Sequence, residues 1–429
     1  MKQVTFDIKR LGAIRDSSIT LSPMMIFSGE SGLGKSYATF LVHYLYYVLL
    51  DPSRFLNFFI EQGYDFSEIY KKKVSGKVIL SIPVQEVLDW LNKDAVSYIG
   101  YLVGHQNLDG DVNIKLPIQE KSFDFVFAQT IEGLEGQEEL YDKIDLNNYS
   151  YSIISTQSNP NAAPYGALVR AYLRGLIFGD MSSITDTYLL PPSRGSLMEI
   201  DERPNFQSGM YEEFFNLKAL LNKPQEAPST LNNTLVECNA RVNNGELKRE
   251  GGKYLYHMRN GATIPLTAAA SSIKELSPLS LLINKFPVKG VSILFEEPEA
   301  HLHPSRQVKL ADLLSCIISA GGHLQVTTHS DYLIKRLNNL MKLSLLKGKI
   351  APSEFKKLLN AFKIKEEYLL DVSNVHAYLL EEQADGSSRI IAQEVGKDSS
   401  IPFESFYSVI EDDLELTSRI EEIMDNLES

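Results

Sequence analysis

An apolar stretch, MMIFS (24–28), runs straight into GESGLGKS (29–36), and the apolar, helix-like run YATFLVHYLYYVLL comes next. Strand, glycine-rich loop and helix in that order, spaced G-x-x-x-x-G-K-S, leave few folds open. They describe the phosphate loop of an α/β nucleotide-binding sheet. Glycine lets successive backbone N–H groups turn inward on phosphate oxygens at a helix N-terminus. Gly29, Glu30, Ser31, Gly32, Leu33 and Gly34 are expected to form that cradle. Lys35 is expected to reach the β- and γ-phosphates, and the Ser36 hydroxyl to ligate Mg²⁺. A nucleoside triphosphate and Mg²⁺ are therefore the expected substrate and cofactor.

Far downstream, ILFEEPEAHLHP (293–304) carries three apolar residues into two adjacent carboxylates. Burying such a pair is costly unless a cation neutralises it. A parallel strand ending opposite the phosphate loop brings the pair to the metal and its phosphates, which offset that cost. Glu296 is expected in the Mg²⁺ coordination sphere, and Glu297 is expected to orient and polarise the attacking water. A third element, HLQVTTHS (323–330), is a short strand ending in Thr328, His329 and Ser330. A neutral His329 at that strand end can hydrogen-bond a γ-phosphate and report its presence. His301 and His303 form an H-x-H that alone is weak metal-site evidence, and contacts across a protein interface are the favoured reading.

Composition restricts the class. An apolar fraction of 44% and a charged fraction of 23% are those of a globular chain. No apolar run reaches about 18 residues, so a membrane span is not expected. The N-terminus lacks the apolar core of a signal peptide, and Cys238 and Cys316 have no metal-type spacing, which suits a cytoplasmic protein with reduced thiols. The net charge of −13 is concentrated in residues 381–429, where 14 Asp/Glu face 3 Lys/Arg, a net of −11. The body is nearly neutral, with no basic stripe to argue for nucleic acid; Lys71-Lys72-Lys73 reads as solvated surface.

These motifs, in this order, resemble the ATP-binding-cassette ATPases of the SMC-like, recombination-repair branch. They are still more similar to the bacterial predicted ATPases that share EEPEAHLHP and THS. The resemblance covers residues 1–50 and 250–350 best. It implies a P-loop NTPase of ABC/SMC-head type, with a β-rich N-terminal lobe, a parallel-sheet core and a mixed α/β insertion. It also implies a signature loop offered to the nucleotide of a second chain, which would be carried by Ser271 and Ser272 within LTAAASSIKELSPLSLLI (266–283). Ile273 stands where that family commonly has glycine, and Glu296 where aspartate is commoner. LLPPSRG (189–195) resembles a Pro-Ser-Arg element and makes Arg194 a site candidate; Gln129 is the candidate Mg²⁺-sensing glutamine. The implied activity is ATP hydrolysis driving a homodimer or higher oligomer. In an anti-phage system such an ATPase would control a separate effector, such as a nuclease or toxin. A DNA-repair or DNA-end clamp is the alternative, with DNA as partner and steeply salt-dependent binding. A transporter subunit is disfavoured by the long insertion, and a non-hydrolysing scaffold would be told apart by phosphate release.

Four sections are expected. Residues 1–50 form an ATPase lobe, in which residues 3–21 alternate as antiparallel strands do. Residues 51–240 form the insertion, with VQEVLDWLN and YEEFFNLKALLN helical and NKPQEAPSTLNN (222–233) a connector. Residues 241–345 form the second ATPase lobe, opening on a hairpin at 246–266. Residues 346–429 form an extension with a hairpin at 374–395 and an acidic tail. No heptad repeat is sustained, so no long coiled coil is expected. The tail's Ile420, Ile423, Met424 and Leu427, at helical spacing, favour a docked terminal helix over a partner-binding segment. The acidic run at 410–415 is not a two-metal nuclease centre.

Overall fold

The computed structural model describes residues 2–132, 139–155, 161–206, 208–223, 233–396, 400–402 and 404–428. Residues 224–232 of the expected connector lie outside them. Strands β1 (Thr5–Leu11), β2 (Ile14–Thr20) and β3 (Met24–Gly29) lead into helix α1 (Lys35–Leu50). Helices α2 (Arg54–Glu61) and α3 (Phe66–Lys72), strand β4 (Val78–Pro83) and helix α4 (Val84–Val103) follow. Next come β5 (Gly110–Lys115), β6 (Ser122–Glu132), β7 (Glu139–Leu146), β8 (Tyr149–Ile154), α5 (Ala163–Phe178) and β9 (Asp186–Leu190). Helices α6 (Arg194–Met198), α7 (Gly209–Asn222) and α8 (Asn233–Asn243) precede β10 (Gly245–Glu250), β11 (Lys253–Met258) and β12 (Thr263–Pro265). The chain continues through α9 (Ser271–Lys285), β13 (Val291–Glu296), α10 (Pro304–Ser319), β14 (His323–Thr327), α11 (Asp331–Leu346) and α12 (Pro352–Ala361). It ends with β15 (Val375–Glu382), β16 (Ser388–Gln393) and α13 (Glu404–Glu428).

Among the described residues, nine strands form one sheet in the order β5-β1-β2-β16-β15-β3-β14-β13-β9. Strands β15, β3, β14, β13 and β9 run parallel, while β5, β1 and β2 pair antiparallel. A parallel core with a β-rich N-terminal part is thus the observed α/β architecture. Strand β3 reads as an unbroken apolar run because both its faces are covered. Met25 and Phe27 enter one hydrophobic core with α1, and Met24 and Ile26 enter the other with α10. All four are fully buried, and each contributes on the order of 2 kcal/mol. A charged residue at Ile26 would place an unpaired ion in that core.

The large sheet draws β5 and β9 from residues 51–240, and β15 and β16 from beyond residue 345. A separate sheet, β4-β6-β7-β8, and a small one, β10-β11-β12, complete the strands. Both expected hairpins form, β10–β11 and β15–β16. Two surface expectations need correction. Lys73 is not simply solvated, since its ammonium meets Asp142 at 2.6 Å and lies over the rings of Tyr70 and Phe127. Helix α13 is not docked where its side chains are described: Leu416, Ile420, Ile423 and Met424 are each about half exposed. No helix among the described residues is long and apolar enough to cross a membrane.

Candidate nucleotide site

Three chain segments meet at the C-terminal edge of the parallel strands, where an open α/β sheet leaves a crevice. Strand β3 delivers the glycine-rich loop, its neighbour β14 delivers Thr328 and His329, and β13 beyond it delivers Glu296 and Glu297. Together they line a cavity of about 260 Å³ that includes Gly32, Lys35, Ser36, Glu296, Glu297 and His329.

The loop's shape depends on backbone that a side chain would forbid. Gly29 has φ +126°, and a Cβ there would meet the Leu380 carbonyl of β15 at 2.5 Å. Ser31 and Gly34 also line the cavity, whereas Glu30 and Leu33 act through their backbones: the Glu30 carbonyl accepts from Lys35 and the Leu33 carbonyl from Ser388. The Lys35 ammonium donates to the Gly29 and Glu30 carbonyls at 3.0 and 2.7 Å. Burial lowers its affinity for the proton, opposed by Glu297, Glu296 and Glu299. A third N–H remains available to a phosphate oxygen. Lys35→Ala should therefore cut nucleotide affinity on the order of 10² or more in a fluorescence titration. Parental affinity would reduce residues 29–36 to a structural turn.

The two carboxylates are not equivalent. Glu296 is 3% exposed, and its Oε1 is buried with no hydrogen-bond partner among the described residues. Burial pushes its carboxyl up to about 7, against the pull of the Ser36 hydroxyl, Arg194 and Lys35. An orphaned, buried carboxylate oxygen beside a hydroxyl is a donor set that fits a small hard dication. The Glu297 side chain is 47% exposed and faces His329, whose Nε2 lies 4.0 Å from its Oε1. Glu297 has φ +43°, a strained conformation for a non-glycine residue. Its N–H is held by the carbonyl and hydroxyl of Thr327, both at 3.1 Å. Burial and Lys35 lower the His329 pKa, which favours the neutral imidazole.

Two residues hold this edge together in ways the motifs do not reveal. Arg194 is fully buried and does not line this cavity. Its guanidinium donates to the backbone carbonyls of Glu296 (2.7 Å), Glu297 (3.2 Å), Pro191 (3.0 Å) and Glu275 of α9 (2.9 Å), and stacks on Phe295. The PPSRG stretch thus yields a positioning residue rather than a nucleotide contact. Glu299 accepts from the Thr328 hydroxyl and the His329 N–H, both at 2.7 Å, tying the β13 turn to the β14 end.

Other candidates fall elsewhere. Gln129 on β6 is paired in register with Asp142 on β7 and donates to its carboxylate at 3.1 Å. The structure does not bring it to the cavity, because its strand belongs to the second sheet. Ser271 begins α9 at the surface and Ser272 accepts from Arg306, so neither lines the cavity of its own chain. Ile273 points into the core at 2% exposure. His303 caps α10 by accepting from the Ser305 N–H, and His301 occupies an exposed turn at φ +61°.

The profile of the AAA ATPase domain family matches residues 59–334. The chain belongs to that family. The match spans Glu296, Glu297 and His329, while the phosphate loop lies ahead of it. Among solved structures, the chain is similar to the SMC head domain from Thermotoga maritima: 12% identity and a TM-score of 0.35, covering 92% of this chain and 100% of that one. An Smc head domain with an extended coiled coil, derived from Pyrococcus furiosus and bound to the C-terminal domain of ScpA, is also similar. It has 9% identity and a TM-score of 0.37, covering 97% of this chain and 98% of that one. No curated protein matches the chain.

Proposed function

We propose that this chain is an ATP-hydrolysing switch whose two copies close head to head around two nucleotides and separate after hydrolysis. The observation that carries the reading is the division of labour at the sheet edge. One fully buried acid, Glu296, lies beside Ser36, and one cavity-facing acid, Glu297, lies beside His329. Lys35 and the loop N–H groups bind the triphosphate. Ser36 and Glu296 would hold Mg²⁺, which offsets phosphate charge when bound. Glu297 accepts a proton from the attacking water as its oxygen bonds to the γ-phosphorus and the bond to ADP breaks. His329, as neutral imidazole, donates to a γ-phosphate oxygen and so distinguishes ATP from ADP.

Pairing is the second half of the proposal. Ser271 and Ser272 lie on the surface outside their own chain's cavity, which suits presentation to a second copy's nucleotide. Ser272→Glu should leave ATP binding by a single chain unchanged while removing ATP-dependent pairing and turnover, read by light scattering and phosphate release. Loss of single-chain binding would show that the signature loop lies elsewhere. Regulation of a separate effector in a prokaryotic defence system is the role we assign, on the EEPEAHLHP and THS resemblance. The exposed apolar and acidic face of α13 offers such an effector a surface.

A further inference from the structure

A chain of net charge −13 gathers four cations around the first turns of α10. Arg306 lies two residues past the start of that helix, and its Nη1 donates to Ser272 Oγ at 2.9 Å. Lys309 is one turn further on. Arg259 stands on the turn between β11 and β12, and Arg241 is in the last turn of α8. The nearby acid, Asp312, is taken by Arg241 and by Arg336, the latter at 2.7 Å. Among the described residues, Arg259, Arg306 and Lys309 have no carboxylate at ion-pair distance. Burial, with Arg241, Arg259 and Arg306 close by, holds the Lys309 ammonium below the usual lysine range.

Like charges held together without counter-charge raise each other's energy until an anion arrives. Arg306 is half-buried and spends one of five N–H donors on Ser272, so the rest of its planar fork is free for oxygens. Its partner hydroxyl belongs to the loop assigned above to a second copy's nucleotide.

We propose that Arg306, backed by Lys309 and Arg259, forms a phosphate-binding site that acts in trans, taking oxygens of the triphosphate held in the cavity of a second copy beside Ser272. The proposal rests on the pairwise closure stated above and names the cation that closure employs. A triphosphate suits the cluster better than a nucleic acid, because three cations near one helix start, with Arg306 alone on the Ser272 hydroxyl, make a compact footprint. A duplex binder tracks the backbone with some 6–10 phosphate contacts.

The test uses the full chain with Glu297→Gln as parent, so that bound ATP persists. Arg306→Ala, Arg306→Lys and Lys309→Ala are each added to it. Fluorescent-ATP titration reads single-chain affinity, and light scattering with ATP and Mg²⁺ reads pairing. The expected result is single-chain affinity within about twofold of the parent with the pairing constant weakened on the order of 10² by Arg306→Ala. Arg306→Lys should recover part of that loss, and Lys309→Ala should show a smaller loss. Weakened single-chain affinity would place Arg306 against its own chain's nucleotide and overturn the proposal. So would unchanged pairing, or a loss of salt-sensitive duplex binding with pairing intact. A parent that stays single with ATP overturns the closure itself, which unchanged pairing in the Arg306→Ala chain does not.

Discussion

Glu297→Gln should leave Mg²⁺–ATP bound and reduce its hydrolysis by roughly 10² or more, the usual scale of a positioned general base. The amide keeps the side chain's size and its hydrogen bonding, and the strained backbone at φ +43° stays anchored by Thr327 and Arg194. Only the ability to take a proton from water is lost. Binding survives because Lys35, Ser36 and Glu296 are untouched, and a neutral group no longer repels the γ-phosphate. Paired, ATP-loaded chains should therefore accumulate. Glu296→Gln should behave differently, since Glu296 is the buried acid with an unpartnered oxygen. Its amide would place two N–H donors where a cation is expected, weakening binding and turnover together. Sizing by light scattering with phosphate release separates the two variants. Parental turnover by Glu297→Gln would remove the FEEPE stretch from the hydrolytic centre.

The contrast between those two acids was only partly legible in the sequence. MMIFS and ILFE could be read as buried strands because a strand covered on both faces has no polar alternation, and that signature is local. That β14 stands between them belongs to the packed sheet and to neither motif. The hairpin at 374–395 was visible as a hairpin, yet nothing in its period announces that β15 pairs with β3 and forbids a side chain at Gly29. Register between distant strands is set by the packed sheet. Gln129 was misplaced for the same reason: FDFVFAQT alternates correctly as a strand, but the strand belongs to another sheet. An amphipathic spacing in α13 looks identical whether the helix docks on its own chain or presents its face outward. Glu299 and Arg194 were harder still, because each acts on backbone groups brought from elsewhere in the chain.

Loss of Arg194 should destabilise the chain strongly. Removing it takes a donor from four backbone carbonyls, of which that of Glu297 still accepts from the Ala300 N–H, and opens a void over Phe295. Breaking a buried charged network in this way costs about 3–5 kcal/mol. Burial lowers the Arg194 guanidinium only to about 10, so it is cationic at neutral pH, and Glu275 lies 3.7 Å away as its counter-charge. Arg194→Ala should therefore lower the thermal midpoint by several degrees and leave Glu275 a buried, unpaired acid. Arg194→Lys is the more informative variant. One ammonium restores the charge but cannot reach Glu275, Pro191, Glu296 and Glu297 at once, because it lacks the planar fork. It should recover much of the stability while turnover stays depressed, since the Glu296 and Glu297 carbonyls are no longer held to α9. Thermal melts alongside single-turnover hydrolysis distinguish these effects. If Arg194→Lys loses stability and turnover in proportion, Arg194 is a core residue only; a turnover loss that outlasts the recovery of the melt makes it the strut between the acids and α9.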